Sequence, residues 1–222
     1  MERVKLLIKG FVSNLVFSAI LFICAGRINY TQGWIFLSIN ILATLMNCFA
    51  INSELMNERS KPGEGIKSWD KLLLGLSALI YVIIIVLAGL DSGRFLWTPD
   101  FHWYISISGV IFTATGQILF LTARSQNNFF SSVVRIQKDR GHVVCDTGLY
   151  KIVRHPGYLG MIISMIGLPL ITTSVWSIIP TAIAIILLLI RISLEDKTLI
   201  NELDGYDEYT KKTRYKIVPY IW

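Results

Sequence analysis

The chain has 222 residues, of which 53% are hydrophobic and 16% charged, and its mean hydropathy is +0.56. This composition is too apolar for an ordinary soluble domain of that length and indicates a membrane protein. The net charge of +6 does not call for a nucleic-acid partner, because the basic residues flank apolar segments. Three cysteines without metal-ligand spacing predict neither a disulfide framework nor a metal site.

Four uncharged segments come first and predict four N-terminal membrane helices within residues 1–123. They are 17 to 21 residues long, close to the roughly 20 that a helix needs to cross a hydrocarbon core. Their limits are 10–26, 33–51, 72–90 and 103–123.

Two shorter uncharged segments, 158–175 and 176–190, follow almost without a break. Only a run of small polar residues at 172–174 separates them, which predicts a tight helical hairpin over 158–190. A single bent, re-entrant unit is the alternative. A hairpin returns the chain to its starting face, so residues near 154 and near 191 would become neighbours. Each arm would be about 22 to 27 Å long at 1.5 Å per residue, which would leave this polar cluster slightly below the lipid headgroups.

The basic residues predict the orientation of this single membrane domain, 1–222. With the N-terminus in the cytoplasm, nineteen of the 21 Lys and Arg residues fall on the cytoplasmic side, and only Arg27 and Arg94 face the other way. Both termini, the segment 124–157 and the C-terminal helix and tail 191–222 are therefore predicted to be cytoplasmic. In a prokaryote the membrane would be the plasma membrane.

The stretch YKIVRHPGYLG, residues 150–160, begins the first hairpin arm. Pro156 suits the first turn of a helix, where its missing N–H costs nothing. Arg154 and His155 before it are, in the simplest interpretation, an anchor pair at the membrane surface. Positive charge opposes the helix macrodipole at that end, so a bound anion would resolve the conflict.

The second arm ends in RISLED, where Arg191 and Glu195 lie four residues apart and Asp196 adds a second carboxylate. The simplest interpretation of the first two is a weak ion pair on one helix face. Opposite Arg154 and His155, however, the acids complete a site of both charge signs that matches a zwitterionic ligand.

The segment RIQKDRGHVVCDTGLY, residues 135–150, reads as a loop whose backbone could wrap a ligand. His142 taken alone is more typical of an ordinary loop histidine than of a ligand-binding one. Tyr150 and Tyr158 are most often interfacial aromatics, but such rings also lie well against a cation such as a sulfonium.

The motif GHVVCDTGLYKIVRHPGYLG, followed after the hairpin by RISLEDKTLINELDGYDEY and RYKIVPYIW, resembles the isoprenylcysteine carboxyl methyltransferase family. Its prokaryotic relatives and the wider group with phospholipid methyltransferases are included in this likeness, which covers roughly 135–222. The resemblance implies an integral membrane enzyme that binds S-adenosyl-L-methionine without a Rossmann fold. By position, the cofactor contacts implied are His142, Val143, Val144, Cys145, Tyr150, His155, Pro156, Gly157, Tyr158 and Glu195.

The sequence and the resemblance together predict methyl transfer to a lipophilic acceptor that enters from the bilayer, with a prenylcysteine-like carboxylate foremost. Glu195 would pair with the cofactor ammonium, and His155 and backbone N–H groups would hold its carboxylate. Arg191 or Arg154 would orient the acceptor. An amine acceptor would need a base, either a carboxylate or His142. A membrane NADPH-dependent sterol-type reductase and a non-enzymatic small membrane protein are the competing hypotheses.

Overall fold

A computed structural model describes residues 2–49, 65–99 and 101–222. Within these ranges all regular secondary structure is helical, with seven α-helices and no strand. The helices are α1 (Glu2–Ala25), α2 (Thr31–Phe49), α3 (Ser68–Ala88), α4 (Trp103–Gln126), α5 (Pro156–Thr172), α6 (Ile178–Glu202) and α7 (Tyr206–Lys212). A π-helical turn, Gly89–Phe95, continues α3, and two short 3-10 turns, Lys138–Arg140 and Gly148–Lys151, interrupt the loop before α5.

The first six helices correspond one to one with the six uncharged segments. Helices α1, α2, α3 with its π-helical extension, α4 and α6 are long and apolar enough to cross a membrane, and α5 is a shorter apolar helix. The predicted all-helical, multi-pass membrane architecture is thereby confirmed. Residues 50 and 51 of the second predicted segment, and Arg59 and Lys61 of the basic count, lie outside the described residues.

Two helices extend beyond the uncharged segments that predicted them. Helix α1 already begins at Glu2, and α6 continues through its charged residues as far as Glu202. A charge marks where a helix leaves the hydrocarbon, but it does not interrupt the backbone hydrogen bonds. The sequence limits therefore described the apolar spans rather than the helices.

The hairpin between α5 and α6 is confirmed as two separate helices. Thr173 closes α5 in the left-handed region at φ 53°. The turn is tied to the end of α3 by the fully buried Asp91, which accepts hydrogen bonds from Ser174 Oγ at 2.6 Å and from the Trp176 N–H at 3.3 Å. This network fixes the end of the hairpin remote from the predicted site.

Helices α4 and α5 pack backbone to backbone through glycines. A Cβ atom on Gly160 would lie 2.6 Å from the Gly116 carbonyl oxygen, so a side chain there would force the helices apart. Gly109, seven residues before Gly116, and Gly167, seven residues after Gly160, make the same close contact one step further along the two helices. Small residues of this kind allow close helix contact in membranes, and here they hold the start of α5 beside the end of α4.

The C-terminal tail completes this end of the bundle. The Arg154 N–H donates to the Tyr215 carbonyl at 2.9 Å, and the His155 N–H donates to the Lys216 carbonyl at 2.8 Å. Ile217 packs into a buried cluster with α6. The residues just before α5 are therefore held between α6 and the tail.

Candidate active site

One cavity of about 340 Å³ lies where α3, α4, α5 and α6 meet the loop 127–155, within the range of about 300 to 1,000 Å³ that is usual for ligand pockets. Eleven of the twelve site residues predicted from the sequence line it. The exception is Pro156, which is fully buried at the first position of α5. The lining residues from the predicted set are His142, Val143, Val144, Cys145, Tyr150, Arg154, His155, Gly157, Tyr158, Arg191 and Glu195.

Arg154 is held by the protein on all three of its guanidinium nitrogens. Its Nε and Nη2 donate to the two carboxylate oxygens of Asp196, both at 2.8 Å. Its Nη1 donates to the carbonyl oxygens of Thr213 at 3.0 Å and Arg214 at 2.7 Å. His155 Nε2 lies 3.1 Å from the same carboxylate. The anion that the start of α5 was predicted to attract is therefore, in this structure, the side chain of Asp196.

Tyr206 of α7 completes the surroundings of this carboxylate. Its hydroxyl donates to Asp196 Oδ1 at 3.0 Å. Burial, followed by the negative charge of Asp196, raises the pKa of Tyr206, so the phenol stays protonated and remains a donor. The exposed fraction is 7% for the Arg154 side chain and 4% for that of Asp196, which makes the group a buried, fully paired cluster.

Arg191 is also paired, but less completely. Its Nε donates to Asp70 Oδ1 at 2.7 Å, and its Nη2 donates to Asp70 Oδ2 at 3.3 Å and to the Ser132 carbonyl at 2.9 Å. The guanidinium carbon lies 5.5 Å from the centre of the Tyr158 ring. Within the part of the chain that the structure describes, Nη1 makes no hydrogen bond. Arg191 lines the cavity, and the N–H groups of Nη1 are the donors of its side chain that remain available to a ligand.

Glu195 is the half-buried carboxylate of the cavity. The Tyr158 hydroxyl donates to its Oε2. Its other oxygen has no hydrogen-bond partner among residues 2–49, 65–99 and 101–222. One acceptor oxygen with a formal negative charge is therefore available to a ligand.

The loop wall of the cavity is aromatic and electrically neutral at its centre. The His142 ring stacks on Phe129 at 4.6 Å between centroids, and the Arg140 guanidinium lies 5.4 Å from the same Phe129 ring. Burial, together with the charges of Arg135 and Arg140, lowers the pKa of His142 to about 4. At neutral pH the ring is therefore uncharged.

Two further tyrosines are fastened to backbone and contribute rings to the wall. The Tyr150 hydroxyl donates to the Ala123 carbonyl at 3.2 Å, and the Tyr209 hydroxyl donates to the Tyr150 carbonyl at 2.6 Å. Burial raises the pKa of Tyr150. These phenols therefore remain neutral and are already engaged, so what they present to a ligand is chiefly aromatic surface.

The sequence analysis missed several lining or supporting residues: Asp70, Phe129, Tyr206 and Tyr209. Asp70 stands in the first turn of α3, where an acid is favoured by the helix dipole alone, so its position suggested nothing further. The tyrosines of α7 lay within a quoted motif, YDEY, but nothing in their spacing pointed to Asp196 or to the loop.

Residues 107–201 match the family model described as the isoprenylcysteine carboxyl methyltransferase (ICMT) family. The match starts earlier than the predicted resemblance, within α4, and stops before α7. A 67-residue stretch is 34% identical to protein-S-isoprenylcysteine O-methyltransferase B of Arabidopsis thaliana and 30% identical to a probable protein-S-isoprenylcysteine O-methyltransferase of Oryza sativa subsp. indica. It represents 30% of this chain, and the aligned part covers only 34% and 35% of those relatives.

The fold resembles a solved structure of a eukaryotic intramembrane Ras methyltransferase, also named isoprenylcysteine carboxyl methyltransferase. The TM-score is 0.63 at 21% identity, and the alignment covers 93% of this chain and 73% of the other. The likeness in fold thus includes the N-terminal helices, which the sequence resemblance left out. Residues 107–201, which include most of the predicted motif residues and much of the cavity wall, are thus similar to the isoprenylcysteine carboxyl methyltransferase family.

Proposed function

We propose that this protein is an S-adenosyl-L-methionine-dependent methyltransferase that acts at the membrane on a lipophilic carboxylate, with a prenylcysteine-like acceptor favoured. One observation carries the proposal. Motif residues from two distant segments line a single cavity in which Glu195 keeps a carboxylate oxygen without a protein partner. The match of residues 107–201 to the family model supports the same conclusion.

The residues present fit the ammonium and the sulfonium of such a cofactor. Asp70, Arg191 and Glu195 together have a net charge of −1, which favours a cationic ligand. Glu195 would accept from the ammonium, and the neighbouring Tyr150 and Tyr158 rings suit a sulfonium. The cofactor supplies an electrophilic methyl group when bound.

The acceptor would use the apolar end of the same cavity. Leu74 of α3, Phe120 of α4 and Met161 of α5 are among its apolar lining residues, and these helices belong to the membrane bundle. Arg191 would bind the acceptor carboxylate through its free Nη1 group. Such a carboxylate is ionised at pH 7, so the protein needs no base and contributes mainly by orienting the reactants.

The geometry distinguishes the two arginines proposed to orient the acceptor. Arg154 has every guanidinium nitrogen bound to protein oxygens, so we favour Arg191 for the acceptor and give Arg154 a positioning role. The lowered pKa of His142 makes it a weak base at neutral pH, which disfavours an amine acceptor. Each of the three arginines that line the cavity lies against a carboxylate, as Arg135 does against Asp139. Within the described part of the chain this pairing reduces the positive charge available to the 2′-phosphate of NADPH.

We further propose that the cavity faces the cytoplasm. The distribution of basic residues, nineteen of 21 on one side, supports this orientation. Cys145 at the cavity wall offers a direct test, since the other two cysteines lie within helices. A membrane-impermeant maleimide should label Cys145 in inside-out vesicles and spare it in intact cells. Labelling in intact cells but not in inside-out vesicles would show that the cavity faces away from the cytoplasm.

Calorimetric titration with S-adenosyl-L-methionine tests the proposed function. Replacing Glu195 by Gln removes a charged hydrogen bond worth about 1.5–3 kcal/mol, so affinity should fall about 10- to 100-fold in a folded protein. Glu202→Gln is the matched control, because this acid on the same helix pairs with Lys67 outside the cavity. Unchanged affinity in Glu195→Gln would remove Glu195 from the site.

A transfer assay completes this test. Labelled methyl from S-adenosyl-L-methionine should appear in an added S-prenylcysteine as a base-labile ester. If label appears only in amine-bearing membrane lipids, the acceptor is an amine and the proposed carboxylate acceptor is wrong. Binding of NADPH in place of S-adenosyl-L-methionine would favour the reductase hypothesis.

A further inference from the structure

Asp70 is a fully buried carboxylate that belongs to none of the motifs. It lies 121 residues before Arg191 and outside the family match of 107–201. A buried acid of this kind is expected to be paired. Its partner is Arg191, whose Nη1 makes no hydrogen bond within the described residues.

The contacts of Asp70 join three parts of the cavity wall. Its Oδ1 accepts from Arg191 Nε at 2.7 Å, and its Oδ2 accepts from the Val134 N–H at 2.8 Å and from Arg191 Nη2 at 3.3 Å. The same Nη2 reaches the Ser132 carbonyl at 2.9 Å. Asp70 therefore connects α3, α6 and the segment at 132–134.

We propose that Asp70 is a positioning residue for the acceptor: it holds the Arg191 guanidinium by Nε and Nη2 so that Nη1 remains available to a carboxylate. The inference rests on the proposed function. An arginine that is ordered before the acceptor arrives loses less side-chain entropy on binding. Arg191 and Asp70 have side-chain exposures of only 8% and 0%, respectively, so the pair is already in place.

Asp70 also keeps Arg191 away from Glu195. These two residues are four apart on one helix face, the spacing at which an ion pair forms readily. Such a pair would consume both the cation for the acceptor and the anion for the cofactor. Asp70 and an incoming acceptor carboxylate also repel each other. We expect the benefit of keeping Arg191 and Glu195 apart to outweigh this repulsion, because the guanidinium of Arg191 is bound to the Asp70 carboxylate and neutralises its charge.

Asp70→Asn is the sharpest substitution, since it preserves shape. Asparagine has one acceptor oxygen where aspartate has two, and its NH₂ group would face the donors of Arg191 or Val134. At least one of the present bonds must therefore be lost. Asp91→Asn is the matched control, because Asp91 is equally buried in the π-helical turn that continues α3 and, among the described residues, pairs with no arginine.

The experiment measures the preference of the full chain, in lipid nanodiscs, for an S-prenylcysteine carboxylate over the corresponding carboxamide by competition. Binding of S-adenosyl-L-methionine reports that each variant is folded. Asp70→Asn should reduce the preference at least tenfold and leave carboxamide affinity within about twofold. Asp91→Asn should lower the melting temperature and leave the preference within about twofold.

An unchanged preference in Asp70→Asn, or tighter carboxylate binding, would overturn the proposal, as would an equal loss of preference in Asp91→Asn. If Asp70→Asn does not fold, Asp70→Glu carries the test, since it keeps the charge and displaces the guanidinium. A threefold or larger loss of preference is expected there, and no loss contradicts the proposal. Wild-type protein that binds the cofactor but methylates no carboxylate would refute the proposed acceptor before any variant is considered.

Discussion

Arg154 and Arg191 line the same cavity, and each faces a buried aspartate, yet their surroundings differ. Every guanidinium nitrogen of Arg154 donates to Asp196 or to a tail carbonyl. Arg191 leaves Nη1 unused within the described part of the chain, because Asp70 and Ser132 occupy only Nε and Nη2. Counting donors thus separates an arginine that holds the fold from one that can bind a ligand.

The largest expected effect is the loss of stability in Arg154→Ala. This change leaves the Asp196 carboxylate buried without its main partner, which costs about 3–5 kcal/mol in comparable pairs. Thermal unfolding in detergent should show a much lower melting temperature or no folded protein. Removing Asp196 as well should restore part of the loss, and a nearly unchanged melting temperature in Arg154→Ala would contradict its structural role.

Arg191→Lys should impair catalysis more than stability. Lysine keeps the charge, but its compact ammonium cannot reproduce the planar, forked contacts with Asp70 and still present a free donor group. We expect kcat/KM for a carboxylate acceptor to fall about 10- to 100-fold, or about 1.4–2.7 kcal/mol, with cofactor affinity within a few-fold. Equal losses in acceptor and cofactor binding would instead indicate that the cavity had collapsed.

Tyr206→Phe gives a smaller test of the Arg154 cluster. It deletes one hydrogen bond to Asp196 of 3.0 Å, worth about 1 kcal/mol net, while it keeps the ring in the wall. Chemical or thermal denaturation should show this modest loss, and acceptor kinetics should hardly change. A selective increase in acceptor KM would mean that the two arginine clusters are coupled.

Acidification should affect the loop wall and provides the smallest test. The pKa of His142 is about 4 in the folded protein, below the ordinary value of about 6.5, so folding favours the neutral ring. Its contribution to stability is complete above pH 6.5 and is lost as the pH falls towards 4. The half-exposed ring keeps the effect small. His142→Gln should reduce the change in the free energy of unfolding between pH 6.5 and pH 4. An unchanged pH dependence would mean that other groups cause it.

Most of the architecture could be predicted from the sequence because lipid imposes a simple rule: a run of about 20 residues without charge predicts a crossing helix. The hairpin, and the return of Glu195 and Asp196 to the face on which α5 begins, followed from the same rule. The closeness of α4 and α5 was missed, although the seven-residue spacing of Gly109 and Gly116, matched by Gly160 and Gly167, carried a signal. The ends of α1 and α6 were also missed, because charge limits a span and not a helix.

The sequence by itself determined which segments lie in the membrane and which polar residues return to one face, since both follow from local composition and chain direction. Only the tertiary structure decided how those polar residues pair. Asp196 pairs with Arg154 and His155. Asp70 pairs with Arg191, which follows it by 121 residues. Such pairing depends on distances between side chains that are remote in sequence, and residue type alone contains no information about those distances.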